Sequence, residues 1–196
     1  KPIASADFRR ALSACFTLLS RENFSHVADA LKHDALEQPV IYLSALILLV
    51  ALVAWKRRAP WPLDDGAALT SSHKALRAAA TLLVRFVTPW PFVLGFLGMR
   101  IGLVSTGEGL LEGVGRGLVA GAGVVLLTNV VRELILLPPV FSHLARPLTV
   151  RKFVLAAGIV GAVGLVIVTV AHEFLPMHAA DSLERTVFIV TMILLA

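Results

Sequence analysis

The sequence contains few charged residues and a single cysteine. Asp, Glu, Lys and Arg make up 16% of its 196 residues, whereas soluble domains typically reach about 25%. Hydrophobic residues make up 57%, so the polar side chains are too few to cover a globular surface in water. We therefore expect an integral membrane protein. As the sole cysteine, Cys15 excludes an intramolecular disulfide.

The sequence also lacks the motifs of an enzyme or a metal protein. His172 and Glu173 open "HEFLPMH", but a zinc-protease helix has its second histidine three residues after the glutamate, and His178 stands five after it. The glycines of "GEGLLEGVGRG" lead into a hydrophobic segment and do not form a phosphate loop. We expect no enzyme, no cofactor and no metal. The net charge of +5 indicates membrane orientation and not nucleic-acid binding.

Hydrophobic runs predict an all-α integral membrane helical bundle with about four complete transmembrane helices and a truncated fifth. Residues 1–38 have apolar positions at helical spacing between charged ones, which predicts an amphipathic juxtamembrane segment. Residues 39–196 are predicted to be the transmembrane domain. Its spans are approximately 39–55, 78–99, 117–137, 153–171 and 186–196. Because the last run is too short to cross a bilayer, we expect it to continue beyond Ala196.

Basic residues predict the orientation of these spans. The loops after the first and third spans together hold nine lysines and arginines, and the opposite side holds three. Because basic residues collect in cytoplasmic loops, the side with nine is predicted to face the cytoplasm. In a bacterium this orientation predicts an inner-membrane, multi-pass protein whose N-terminal segment is periplasmic.

The second span contains an arginine whichever way it is placed. The charge-free stretch between Arg85 and Arg100 has fourteen residues, too few to cross a bilayer. One of the two must enter the hydrocarbon region or extend out of it, and a span at 78–99 assigns this position to Arg85. Pro89 and Pro91 are expected to kink this helix.

Polar residues near the cytoplasmic end of the third span are candidates for contacts inside the membrane. Asn129 shares one helix face with Glu133 and lies three residues before Arg132. Three interpretations are open: extension of the charged groups to the interface, a contact with another helix, for which Arg85 is a candidate, or a proton or ion pathway.

Small residues recur every four positions in the second, third and fourth spans. This spacing lets helix backbones approach closely in lipid. The glycines of this pattern are Gly98, Gly102, Gly113, Gly117, Gly121 and Gly161. Ordinary bundle packing, packing that slides under load and a pore-lining stripe are the three interpretations.

Four segments within residues 39–196 carry a resemblance to a known family. They are "WKRRAPW", "KALRAAATLLVRFVTPWPFVLGFLGMRIGL", "NVVRELILLPPVFSHLARP" and "DSLERTVFIVTMILLA". Their order resembles the inner-membrane domain of the long, multi-spanning members of the small-conductance mechanosensitive channel superfamily, with the closest likeness to the potassium-dependent mechanosensitive channel type. The resemblance implies a homo-heptamer that opens under membrane tension for osmotic protection.

Under this resemblance the chain would be the peripheral, tension-sensing part of such a channel. The partners would be the lipid bilayer and further copies of the chain, and ions would pass through a pore helix that these residues do not include. Two other functions are considered. A non-catalytic structural or accessory membrane subunit fits the lack of catalytic and transport motifs. A small transporter fits less well because the sequence has no inverted repeat.

Overall fold

The computed structural model describes residues 5–18, 20–58, 89–105, 109–134 and 147–195. Its regular elements within these ranges are all α-helices, which confirms the all-helical part of the predicted fold class. We number them α1 (Ser5–Leu18), α2 (Arg21–Glu37), α3 (Pro39–Arg58), α4 (Pro89–Val104), α5 (Gly109–Leu134), α6 (Pro147–Phe174) and α7 (Met177–Leu195).

Three of these helices are long and apolar enough to cross a membrane. The qualifying stretches are Pro39–Arg58 in α3, Gly109–Arg132 in α5 and Lys152–Phe174 in α6. They correspond to the predicted first, third and fourth spans, so a membrane protein is supported. The second predicted span lies partly outside the described residues, and the total number of transmembrane helices stays a prediction.

Short sequence signals account for several helix boundaries. The Ser20 hydroxyl caps α2 by accepting a hydrogen bond from the backbone N–H of Asn23 at 3.4 Å. Pro39 stands in the first turn of α3, where its missing N–H needs no partner. The last turn of α3 is basic, with Lys56, Arg57 and Arg58, which suits the negative end of the helix dipole.

The structure describes only part of the segment in which a proline kink is predicted. Pro89 and Pro91 lie in the first turn of α4, where proline is compatible with a helix start. The residues before Pro89 in the predicted 78–99 span lie outside the described ranges, so the kink stays a prediction.

Helix α5 packs between α4 and α6 with close backbone contact on both sides. A Cβ atom added to Gly98 of α4 would lie 2.7 Å from the carbonyl oxygen of Gly115. On the other side, a Cβ atom on Gly117 would lie 3.2 Å from the carbonyl oxygen of Val166. The absence of side chains at these positions is therefore what allows the three backbones to approach.

Successive helices from α4 to α7 run antiparallel. In each pair of helices the contacts advance along one helix and go back along the other: Gly95–Ala122 and Gly98–Gly115, Gly113–Val170 and Gly121–Ala162, and Gly164–Val187 and His172–Glu184. One end of the bundle consequently gathers the C-terminal ends of α4 and α6 and the N-terminal ends of α5 and α7. We call it the Arg100 end, after the arginine in the last part of α4.

Helix α1 packs against α7 on the outside of the bundle. Small residues form most of this contact, and its buried core is Ala11, Ala14, Ala171, Ala180 and Leu183. Helices α2 and α3 approach α4 instead. Helices α1 and α2 are thus each packed against a different part of the bundle, and the periplasmic placement of residues 1–38 stays a prediction.

Candidate functional site

A buried ion pair joins α2 to α4 at the Arg100 end. Both residues are buried: Asp34 is 3% exposed and Arg100 is 8% exposed. The Arg100 Nε atom donates to Asp34 Oδ2 at 2.8 Å, and Nη2 donates to Asp34 Oδ1. This two-bond geometry is the strongest arrangement of an arginine and a carboxylate, and it fixes the orientation of both side chains.

Two further side chains complete the hydrogen bonding of the pair. The Tyr42 hydroxyl donates to Asp34 Oδ2 at 2.7 Å. The Gln38 Oε1 atom accepts a hydrogen bond from Arg100 Nη2 at 3.0 Å. The guanidinium carbon also lies 5.9 Å from the centre of the Tyr42 ring, within the range of a cation–π contact. Each buried charge therefore has several partners, which offsets the cost of removing it from solvent.

The connection between α2 and α3 places three of these side chains on one side. Asp34, Gln38 and Tyr42 are four residues apart in the sequence, but Gln38 lies between the two helices and its backbone is not helical, with φ −127° and ψ 56°. Its backbone N–H donates to the Asp34 carbonyl at 2.9 Å. The hydrogen bond from Tyr42 to Asp34 shows that the two side chains meet across this single-residue connection.

Aromatic residues continue the contact along α3 and α4. The rings of Tyr42 and Phe96 meet edge to face, with centroids 5.4 Å apart. The rings of Phe92 and Phe96 are stacked, with centroids 6.4 Å apart. Since Phe92, Phe96 and Arg100 are also four residues apart, one face of α4 carries both the apolar and the charged part of the contact. The site therefore couples three helices through one continuous surface.

The ion pair keeps the Asp34 carboxyl ionised. The hydrogen bond from the Arg100 guanidinium is the largest influence and holds the pKa of Asp34 below its usual value, against the opposing effect of burial. Asp34 lies just before Pro39, where the apolar run begins. The charged contact consequently stands at the N-terminal end of α3, a helix long and apolar enough to cross a membrane.

The sequence prediction placed the membrane arginine at Arg85, which lies outside the described residues. The structure gives Arg100 the buried position and its partners. The four-residue spacing of Asp34, Gln38 and Tyr42 is the signal that could have identified this site, because it marks a polar stripe leading into an apolar helix.

The predicted polar residues of the third span lie at the opposite end of α5. Asn129 is 3% exposed, and Arg132 is half-buried. Gly115 is the residue of α5 that contacts α4. Asn129 lies fourteen residues further along α5, a distance of about 21 Å. The structure therefore separates Asn129 and Arg132 from the Asp34–Arg100 pair. The Glu133 side chain, like Arg85, lies outside what the structure describes.

The glycines predicted to pack helices fall into two groups. Added Cβ atoms at Gly98, Gly113, Gly117 and Gly121 would come within 2.7 to 3.2 Å of a neighbouring helix. A Cβ on Gly102 would meet nothing within 4 Å, and one on Gly161 would make an ordinary 3.9 Å contact with Val124. The four-residue pattern identified the close approach of α5 to its neighbours but not the glycines at which an added side chain would collide. The sliding and pore-lining interpretations stay predictions.

Further charged groups surround the Arg100 end. Arg116 pairs with Glu112 of its own helix and with Glu173 of α6. The His172 Nε2 atom lies 3.0 Å from Glu184 Oε2 of α7. These side chains are 31% to 60% exposed, so each pair contributes little to stability.

One group of residues could hold a metal ion by geometry. His172, Asp181 and Glu184 each place a possible ligand atom within 4.8 Å of the others. An imidazole and two carboxylates are a donor set that divalent cations accept. All three residues are exposed, a setting in which such groups commonly occur without a metal, and the expectation of no metal stays a prediction.

Comparison with known proteins finds no counterpart. The chain matches no protein-family model, no curated protein and no solved structure.

Proposed function

We propose that this chain is the peripheral, tension-sensing segment of a bacterial mechanosensitive ion channel of the inner membrane, with its N-terminal helices on the periplasmic side. The support comes from the four resembling segments and from three helices long and apolar enough to cross a membrane. The channel would be a homo-oligomer, a heptamer by the resemblance, with its pore formed by residues other than these.

The observation that carries the proposal is the exposure of α3. No residue in the most apolar stretch of α3 is buried, whereas 33% of the corresponding stretch in α5 and 22% of that in α6 is buried. Its half-buried residues lie on one side and include Tyr42, Ala45 and Leu49. Most of the helix surface would therefore contact lipid rather than protein.

A lipid-facing helix of this kind responds to the state of the bilayer. Tension thins the hydrocarbon region, and a helix adapts to thinning chiefly by changing its tilt. A single residue separates α3 from α2, and α3 contacts the buried pair through Tyr42. A change in its tilt would therefore act directly on the contact between Asp34 and Arg100.

The buried pair gives such a movement two distinct outcomes. A bidentate, desolvated contact is either kept or broken, because intermediate separations lose its hydrogen bonds without restoring hydration. Tension can shift the balance between these arrangements only by the difference in their free energies. The Asp34–Arg100 contact would thus contribute to the tension at which the sensor changes state.

Patch recording tests this function. The native, full-length protein is expressed in spheroplasts of a strain without other tension-gated channels, and pressure steps are applied to excised patches. We expect currents that activate with tension. Absence of such current, combined with stable copurification in a larger complex, would contradict the proposal and favour an accessory subunit.

A further inference from the structure

Helices α6 and α7 leave a groove between them on the surface of the bundle. The groove has a volume of about 590 Å³. Its α6 wall includes Gly161, Gly164 and Leu165, where the glycines leave the space open. Its α7 wall includes Val187 and Phe188. Most of its length is therefore lined by apolar or small side chains.

A second, almost wholly apolar cavity adjoins this groove under α1. Its volume is about 370 Å³, and Leu12 and Cys15 of α1 form part of its lining. Gly164, Val187 and Thr191 line both spaces. The two compartments are therefore neighbours separated by shared walls, and together they could receive two extended apolar chains from one molecule.

The depth of the groove identifies the medium that surrounds it. Its α6 wall lies inside the membrane-compatible stretch Lys152–Phe174. Along α7 the lining runs from Asp181 to Thr191. Its apolar part, from Thr186 to Thr191, covers five residues or about 8 Å. With its charged end at the Arg100 end of the bundle, the groove thus enters the outer part of one leaflet of a hydrocarbon core about 30 Å thick.

Charged groups line only one end of the groove. Asp181, Glu184 and Arg185 stand there, before the apolar run that begins at Thr186. An arginine binds a phosphate group well, and carboxylates accept hydrogen bonds from an ammonium group. A headgroup with a phosphate and a primary amine matches both signs of charge, whereas a choline headgroup has no N–H to donate.

We propose that this groove binds one phospholipid with an ethanolamine headgroup. The phosphate contacts Arg185, and the ammonium contacts the carboxylates of Asp181 and Glu184. One acyl chain lies between α6 and α7, and the other enters the cavity under α1. This site is independent of whether the protein gates an ion pore.

Competition between lipids tests the proposal. The purified full chain is incubated with equal amounts of phosphatidylethanolamine, phosphatidylcholine and phosphatidylglycerol with identical acyl chains, and the retained lipids are counted by native mass spectrometry. EDTA is present to remove any metal from the His172, Asp181 and Glu184 group. We expect phosphatidylethanolamine to be retained in preference to each competitor by up to about fivefold, which is what one exposed charge pair can provide. Equal retention of all three lipids would overturn the proposal.

Two variants separate the headgroup contacts from the chain contacts. The double change Asp181→Asn with Glu184→Gln should abolish the preference for ethanolamine and leave total lipid retention in place. Gly161→Leu should fill the groove and reduce total retention. Gly123→Leu is the matched control, because a Cβ on Gly123 meets nothing within 4 Å. If the Asp181→Asn, Glu184→Gln variant kept both its preference for ethanolamine and its helix content by circular dichroism, the headgroup would be recognised elsewhere. This result would overturn the assignment.

Discussion

Replacing Asp34 with asparagine should destabilise the bundle by about 3 kcal/mol, the lower part of the range for breaking a buried ion pair. Arg100 is 8% exposed and remains charged at every accessible pH. The asparagine preserves the size of the side chain, but its amide offers one acceptor oxygen where the carboxylate offered two. The guanidinium would then be desolvated without an opposing charge, and this uncompensated charge accounts for most of the expected loss.

Glu37→Gln is the matched control in the same helix. Glu37 lies 3.5 Å from His33, with side chains 63% and 73% exposed respectively. An exposed pair at this helical spacing is worth at most about 0.5 kcal/mol. Reversible unfolding in mixed micelles, followed by circular dichroism, measures both changes. A loss for Asp34→Asn no larger than that for Glu37→Gln would refute the buried pairing.

A double variant isolates the pair from other effects of the substitution. Adding Arg100→Met to Asp34→Asn removes the unpaired charge and fills the space with an apolar side chain of similar length. Because the double variant holds no uncompensated buried charge, it should recover part of the stability lost in Asp34→Asn. Additive losses from the two single variants would show that the residues do not interact.

Three further outcomes follow from the same contacts. Gly98→Ala should cost about 1–3 kcal/mol in mixed-micelle unfolding because its Cβ would collide with α5, whereas Gly102→Ala, one turn later, should be nearly neutral. Since the pKa of Asp34 is lowered in the folded state, its stabilising contribution should be complete above about pH 5 and be lost as pH falls below the unfolded pKa of about 3.9. Unfolding of Asp34→Asn should therefore depend less on acid pH than unfolding of the native protein. Arg116→Gln removes two exposed bridges and should change stability by less than about 1 kcal/mol, with the change shrinking at high salt.

The long apolar runs were the part of the fold that the sequence predicted well. Helices α3, α5 and α6 coincide with predicted spans because a continuous hydrophobic run of sufficient length admits few alternatives in a membrane. Such a run says nothing about its neighbours. Helix α4 has sixteen described residues, a length that alone does not decide whether it spans.

The site was harder to predict because its two charges are 66 residues apart in sequence. The spacing of Asp34, Gln38 and Tyr42 marks polar residues at the start of an apolar run, but it does not identify the residue that packs against them. The charge-free stretch between Arg85 and Arg100 is too short to span, which places one arginine in the membrane but does not say which of the two. Glycine spacing had the same limit: Gly98 and Gly102 look equivalent in the sequence, and only the position of α5 distinguishes them.

The activation tension of charge-swapped channels tests the proposed sensor most directly. Patches with the native full-length protein are compared with patches carrying Asp34→Arg, Arg100→Asp or both changes together. The account predicts that each single change shifts the midpoint tension and that the double swap returns it towards the native value. Identical midpoints in all four proteins would contradict a role for this contact in sensing tension.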